Sequence, residues 1–588
     1  KHLPPVASTP RVAPACAGVP DTPRRGTPRG AVARARDMSA QALMASSSPG
    51  DGARPKREAS GPARDGSDML VRAPTRLSTG YGRRFRRCNA VTRVIIFGCL
   101  GMALFGYDTG IVSGAMVLVR QDIKLDTDQT EFVVSITMMM AAMSTVLGIP
   151  ANSLIGRKPV VMVSAVLYVI GSAIIAFAND YITLLVGRSL LGIAIGFASG
   201  TVPMYSAELS PPSMRGMVVT LNDLNIVFGQ LAAALVNVTF QHYEGGWRIS
   251  MGLAAFPAFL LFAGFMFLPE SPRWLAMKGR LVDAEAVLQL IHDKQDVSEP
   301  LAEIVAAVKA EEEEGDGNAS FGAIVQRGAK KLRSIWRHKQ VRRAAILGIG
   351  LTAINQFSGI NTVMYYSTTI LMEAGFSRES AIWLAAMCCA AQLVGVIISV
   401  TSMDTIGRRA TALRSCAGMV ITLCLFATSF WCEGRTWDMV KVAALGLYLV
   451  AFGSGLSGVP WVLNAEIYPL RLRSAAVGQA TFLNWCFNYV IGRYFLSVCE
   501  AVGTGGAFAM FAAVGVVGGI WMYFMLPETM GLELEDIKHL FSDPYPKAWW
   551  RGYNPSHDRE RCKDGDDSTT EGNDASEDSD ASDSEERT

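Results

Sequence analysis

The sequence predicts an all-α integral membrane protein: twelve transmembrane helices in two six-helix halves, with a cytoplasmic helical loop domain between them. Three observations lead there. Half of the 588 residues are apolar, mean hydropathy is +0.26 and 18% are charged, against about a quarter in soluble domains. The apolar residues gather into twelve runs near the length of about 20 that crosses a hydrocarbon core. The second six runs repeat landmarks of the first. This composition excludes a soluble globular chain, a secreted disulfide scaffold and a coiled coil. Most of the eleven cysteines fall in apolar runs, as Cys99, Cys388, Cys389, Cys416, Cys424 and Cys486 do, which suits buried thiols. With no CxxC pair and six scattered histidines, neither a metal nor another cofactor is expected.

Residues 1–88 hold 17 Lys/Arg against 6 Asp/Glu and show no apolar period. Such a segment buries too little to offset its ordering entropy and is expected to be a disordered basic tail. It lacks the sustained apolar stretch of a signal peptide. The chain opens at Lys1, so Met38 and Met69 are alternative starts. The N-terminal half, 89–268, has apolar runs near 94–116, 132–151, 159–177, 181–201, 218–239 and 249–268. A polar stretch, 269–343, follows with 13 Lys/Arg, and helical spacing at Ala284, Val287, Leu288 and Ile291 marks it as a small helical domain. The C-terminal half, 344–540, has runs near 344–366, 382–402, 413–432, 442–463, 475–498 and 507–526. The tail 541–588 ends in a stretch, 563–588, with 11 Asp/Glu against 2 Lys/Arg, and is expected to be disordered. Within a bilayer each run must satisfy its own backbone, so each is a helix. The cluster Arg83-Arg84-Phe85-Arg86-Arg87 and the basic stretch 269–343 fall on one side of an even number of spans, which places both, and both termini, in the cytoplasm.

The halves repeat each other. Glu208, Pro211 and Arg215 after span four match Glu466, Pro469 and Arg473 after span ten, and Pro269-Glu270-Ser271 matches Pro527-Glu528-Thr529. Gly156-Arg157-Lys158 and Gly407-Arg408-Arg409 sit between corresponding spans. Two six-helix halves around a site at their interface form a transporter arrangement. The repeated Glu and Arg residues, Arg157, Glu208, Arg215, Glu270, Arg408, Glu466, Arg473 and Glu528, and with them Arg273 and Asp404, all fall at cytoplasmic ends of spans. There they form a gate whose pairs separate between two states, or they snorkel and set topology. A glycine run, Gly453-Ser454-Gly455-Leu456-Ser457-Gly458, fits GxGxxG but lies inside an apolar span, so a nucleotide site is set aside.

The strings GRSLLGIAIG (187–196), PMYSAELSPPSMRG (203–216), PESPRWL (269–275), QFSGINTVMYY (356–366), VPWVLNAEIYP (459–469) and LPETMGLELEDI (526–537) carry a resemblance. Over roughly residues 90–540 the chain resembles the sugar porters of the major facilitator superfamily. GYDTGIVSGAM (106–116), GWRISMGLAAFPA (246–258) and NQFSGINTVMYYSTTI (355–370) resemble the proton-coupled myo-inositol transporters most. Ser153, Leu154 and Thr405 depart from the charged residues usual in the family, and Asp223 and Asn355 stand where Gln is common.

Arg414 at the start of the ninth run apart, four charged residues fall within the spans: Asp108, Arg188, Asp223 and Arg493. Each costs about 2.5–3.5 kcal/mol at the bilayer centre, and such residues are functional candidates by default. Asp108 and Arg188 form either a proton-loading site or a static ion pair. The resemblance implies the former, since proton-coupled members carry Asp at this position. Asp223 binds a substrate hydroxyl, faces a cavity or titrates. Arg493 snorkels outward or lines the outer vestibule.

A polyol is held by amides and carboxylates that bridge its hydroxyls and by aromatic faces against its C–H surface. By resemblance the candidates are Asn355, Gln356, Asn361, Gln392, Trp461, Asn484 and Trp485; Phe105, near Asp108, and the intramembrane Asp223 join them. Asn361 is more than a turn beyond Asn355 and Gln356, and Gly359 between them permits a broken helix that brings the three together. The alternative is that these amides bond helix to helix. The expectation is a multi-pass plasma-membrane symporter, monomeric, with protons, a small polyol or sugar and the lipid bilayer as partners and no nucleic acid. Two other functions are a proton-coupled hexose or pentose transporter and a non-transporting nutrient receptor. An enzyme is not expected, because no nucleophile–base–metal set is present.

Overall fold

The computed structural model describes residues 90–541 except 212–213, 293–295, 314–320, 533–536 and 538–539. The predicted tails 1–88 and 541–588 therefore lie outside the described residues, Phe541 apart. The described residues are almost entirely helical, with no strand among them. In order the helices are α1 (Ala90–Ile123), α2 (Thr127–Leu154), α3 (Arg157–Ala176), α4 (Tyr181–Glu208), α5 (Arg215–Phe240), α6 (Gly246–Gly252) and α7 (Ala255–Met266). Four shorter helices follow: α8 (Pro272–Met277), α9 (Leu281–His292), α10 (Ser298–Glu313) and α11 (Phe321–Arg337). The rest are α12 (Lys339–Phe357), α13 (Ile360–Glu373), α14 (Arg378–Thr405), α15 (Arg408–Ser429), α16 (Arg435–Gly453), α17 (Val459–Glu466) and α18 (Leu470–Met525).

Ten of the helical stretches are long and apolar enough to cross a membrane. Two features raise the number of spans to twelve. Span seven is α12 plus α13, parted at Gly359, whose φ of 84° only glycine adopts readily. α18 has 56 residues, about 84 Å at 1.5 Å per residue, and is two antiparallel helices meeting at Gly503, where φ is 76° and ψ 156°. The fold-back is visible in Phe495 and Phe511, whose rings stack at 6.1 Å, whereas a continuous helix would hold them about 24 Å apart. Span ten is broken too, between α16 and α17. The glycine run that mimicked a nucleotide motif forms this break.

Within the first six spans α1 packs on α5, and α2 and α3 pack on α4; within the last six, α15 packs on α16 and α18, and α14 on α16. α1 and α5 approach backbone to backbone: a Cβ on Gly106 would lie 1.8 Å from the Ile226 carbonyl oxygen, and one on Gly110 2.6 Å from that of Gln230. Small residues at such crossings are how helices associate where lipid provides no hydrophobic drive. The two groups of six meet along α2 with α18, α5 with α14 and α1 with α13. Large apolar side chains such as Phe177, Phe256, Ile421 and Val517 are exposed on the outside, as a lipid-facing surface requires. In the polar stretch, Ala284, Val287, Leu288 and Ile291 are the buried face of α9.

Candidate functional site

Asp108 lies on α1 between the two glycines that press α1 onto α5. Its Oδ1 accepts from Arg188 Nη1 of α4 at 2.6 Å, and the two side chains are 2% and 1% exposed. Asp108 Oδ2 and Arg188 Nε and Nη2 have no partner. Thr109, beside Asp108, donates to the Gly106 carbonyl and accepts from Gln230 Nε2 of α5. Gln230 Oε1 is buried and unpartnered. The pair therefore keeps polar capacity in reserve, and one carboxylate oxygen is available to a proton.

The break at Gly359 kinks span seven between α12 and α13, so that Asn361 Nδ2 reaches Gln356 Oε1 at 2.5 Å. Gln356 Nε2 donates to Asn355 Oδ1 at 3.0 Å and to Asn484 Oδ1 of α18 at 2.6 Å. Asn355 Nδ2 donates to the Leu456 carbonyl at 2.7 Å, a carbonyl that the break in span ten frees from its helix. The next residue, Ser457, donates to both Asp223 oxygens at 3.1 and 2.9 Å, which places Asp223 of α5 at the seam between the halves and beside the amide network. Trp485, adjacent to Asn484, packs against Phe105 of α1 at 5.3 Å, and its Nε1 is buried without a partner. Phe105 is three residues from Asp108, so one face of α1 touches both groups. Gln392 of α14 is 4% exposed with Oε1 unpartnered. Gln392 and Trp461 make no hydrogen bond or ring contact with the network among the described residues, and Trp461 is partly exposed on α17.

The Glu and Arg residues at the end that carries α8–α11 form two matching brackets. In the first six spans Arg157 pairs with Glu208 at 3.0 Å and donates to the Asn152 carbonyl at 3.3 Å. Glu270 caps α3 by accepting from the N–H groups of Arg157 and Lys158, and Ser271 donates to Glu208. In the last six, Arg408 pairs with Glu466 at 3.2 Å and donates to the Met403 carbonyl at 3.2 Å. Glu528 caps α15 through the N–H groups of Arg408 and Arg409, and Thr529 donates to Glu466. A carboxylate at a helix N-terminus meets free N–H donors and the positive dipole end. Gly156 and Gly407 bring it there: with φ of 102° and 98°, a Cβ on either would lie 2.3 or 2.4 Å from the capping carboxylate. Removal from water pushes the Glu270 carboxyl above its ordinary range, against the opposing pull of the N–H groups and of Arg157. Asp404 is 3.6 Å from Arg408, and Arg473 donates to the Tyr468 carbonyl. Arg273 follows the cap on α8. The Arg215 side chain lies outside the described residues. Each of the two Arg–Glu pairs joins helices of one half, not of both.

The halves are pinned at the opposite end. Arg493 of α18 donates to Asp128 at 2.5 Å and to Glu131 at 3.2 Å, both on α2. Glu131 is fully buried and also accepts from the Ser497 backbone N–H and hydroxyl. Ser113 of α1 contacts Ser367 and Thr368 of α13 at 2.7 and 2.9 Å. Thr127 donates to Glu500, and Arg378 to Gln121. Asp128, Glu131, Ser457 and Gln230 are absent from the sequence-derived candidates. Glu131 stands one residue before the apolar run of span two, and Ser457 sits in the discarded glycine motif.

Residues 94–541 match the family described as Sugar (and other) transporter. The proton myo-inositol cotransporter of Homo sapiens is 34% identical over 538 residues, covering 76% of this chain and 82% of that one. Probable inositol transporter 2 of Arabidopsis thaliana is 32% identical over 550 residues, covering 78% and 93%. Among solved structures, the partially occluded, inward-open xylose transporter XylE from E. coli aligns with a TM-score of 0.63 at 24% identity, over 76% of this chain and 100% of that one, a likeness of fold.

Proposed function

Because the chain belongs to the sugar (and other) transporter family, we propose that it is a secondary active transporter that carries a cyclic polyol, myo-inositol, together with protons by alternating access. The observation that carries this reading is the juxtaposition on α1. Phe105 packs against the aromatic wall of the amide network, and three residues on Asp108 holds its ion pair with Arg188. Asn355, Gln356, Asn361, Asn484 and Asp223 offer donors and acceptors to adjacent hydroxyls, and Phe105 with Trp485 meets the C–H face. Gln392 and Trp461 make no hydrogen bond or ring contact with this network among the described residues, and have no part in it in this reading. A proton on the free Asp108 oxygen weakens the pair with Arg188 and relaxes α1 against α4. Filling of the network shifts the seam at Ser457. Each event thereby biases the same pair of states.

The basic stretch 269–343 and both termini face the cytoplasm in this reading, and the protein works as a monomer in the plasma membrane. The pinned end is the outer gate, closed in this structure. The brackets Arg157–Glu208–Glu270 and Arg408–Glu466–Glu528, with Arg215, Arg273, Asp404 and Arg473 beside them, stiffen each half at the inner gate. Uptake of radiolabelled myo-inositol into liposomes, with and without an inward proton gradient, tests the proposal. Gradient-driven accumulation that unlabelled inositol competes away and hexose does not is the expected result. Hexose accumulation in its place, uptake indifferent to the gradient, or binding without uptake each overturns it.

A further inference from the structure

α11 has the composition of a membrane-surface helix. Its 17 residues carry Arg327, Lys330, Lys331, Arg333 and Arg337, and residues 321–343 contain no Asp or Glu. It joins α12 through His338 alone, so its C-terminal end stands at the mouth of span seven, beside Lys339 and Arg342. One flank is packed: Ile335 is fully buried, and the helix rests on α2, α12 and α18. The free flank is two-sided. Val325, Leu332 and Trp336 are 48%, 38% and 41% exposed, and at 3.6 residues per turn they fall within an arc of about 40°. Exposed Lys330, Arg333 and Arg337 occupy the adjoining arc. An apolar strip edged by basic residues, at the entrance of a span, matches the boundary between acyl chains and anionic headgroups.

We propose that α11 binds anionic lipid headgroups at the cytoplasmic leaflet, with Val325, Leu332 and Trp336 inserted at the acyl boundary and Lys330, Arg333 and Arg337 on the phosphates. A protein partner that wraps basic amphipathic helices has no access to the packed flank. The chain's own tail 563–588 matches the charge with its 11 Asp/Glu, but it contains no Val, Ile, Leu, Met, Phe, Trp or Tyr with which to cover the apolar strip.

Amide hydrogen exchange of the full-length protein in nanodiscs tests this, with phosphatidylcholine alone compared with phosphatidylcholine containing one third phosphatidylserine. Exchange over 321–337 slows several-fold in the anionic discs, and α9 is indifferent to lipid. Two variants, Lys330→Gln/Arg333→Gln/Arg337→Gln and Leu332→Ser/Trp336→Ser, each lose the difference, because charge and insertion act together; both change exposed residues only. Equal exchange in the two lipids, or a difference that survives in either variant, overturns the proposal. Loss of protection on deleting 563–588 assigns the face to the tail and also overturns it. The readout needs no transport, so it stands apart from the assigned substrate.

Discussion

Asp108 and Arg188 are worth more together than the sum of their single roles. Taking two charges out of water costs several kcal/mol each, which their attraction offsets only while both are present. Arg188→Ala is therefore expected to destabilise the protein by about 3–5 kcal/mol and to abolish accumulation. Asp108→Ala with Arg188→Ala loses less than additivity, because the buried charge is gone. Asp108→Asn keeps size and some hydrogen bonding but cannot load a proton, so it exchanges inositol across the membrane without concentrating it. Substrate-driven pH change in liposomes is the decisive measurement; wild-type proton uptake by Asp108→Asn moves the role to Asp223. Substrate choice rests on other residues. Asp223 and Asn355 meet at Leu456 and Ser457, so Asp223→Gln with Asn355→Gln is expected to weaken inositol uptake several-fold more than hexose uptake. Parallel loss of both counts against selectivity. The ion pair was legible in the sequence because a charge inside an apolar run stands out. The Arg493–Glu131 contact was not, because its partners are 362 residues apart and Glu131 sits just outside its run.

The helix breaks decide what the network contains. Unbroken, span seven would carry Asn361 away from Gln356; broken at Gly359, it hydrogen-bonds to it. Gly359→Ala must place a Cβ at φ 84°, within 2.5 Å of the Phe511 ring. The strain, on the order of 1 kcal/mol from the backbone alone, is relieved by straightening the span. The expected result is a raised KM for inositol, with thermal stability in detergent lowered by a few degrees. An unchanged KM would mean that Asn361 takes no part in binding. This break was readable from the spacing of three amides around one glycine. The break in span ten was not, because its glycines look like a nucleotide motif and only the tertiary contact of Ser457 with Asp223 reveals their use. The brackets were legible as a duplication, yet the sequence could not say whether they join helices within a half or across the seam. That depends on which helices pack, and the capping of α3 by Glu270 and of α15 by Glu528 places them within halves. Glu270→Ala and Glu528→Ala should thus cost similar amounts, about 1–2 kcal/mol as for other caps. A large difference between their unfolding midpoints would break the equivalence.

At the scale of the whole molecule, the halves are tied at one end by polar contacts and touch at the seam through Ser457 and Asp223. Alternating access requires those outer ties to break while each half stays intact. The ties are unequal. Ser113 with Ser367 and Thr368 is a neutral contact, worth about 1 kcal/mol net. Arg493 pairs with two carboxylates, one of them fully buried. Removing Arg493 leaves Glu131 closed in without a cation, so the closed state loses more than the open one, in which Glu131 is hydrated. Each 1.4 kcal/mol of that difference moves the populations tenfold, and the shift equals the differential stabilisation of the two states. In a Ser367→Cys background, Arg493→Gln is expected to raise labelling by an impermeant thiol reagent from outside at least several-fold. Accumulation should fall in step, since a carrier that cannot hold its outer gate shut leaks its cargo back. Arg493→Lys keeps the charge and should restore much of the closure. Glu131→Gln, which removes the buried charge but keeps a hydrogen-bond acceptor for Ser497, should raise labelling less than Arg493→Gln. If Arg493→Gln leaves both labelling and accumulation unchanged, the contact is a surface ion pair of the kind that contributes little, and the outer gate must be sought in Ser113 and α13.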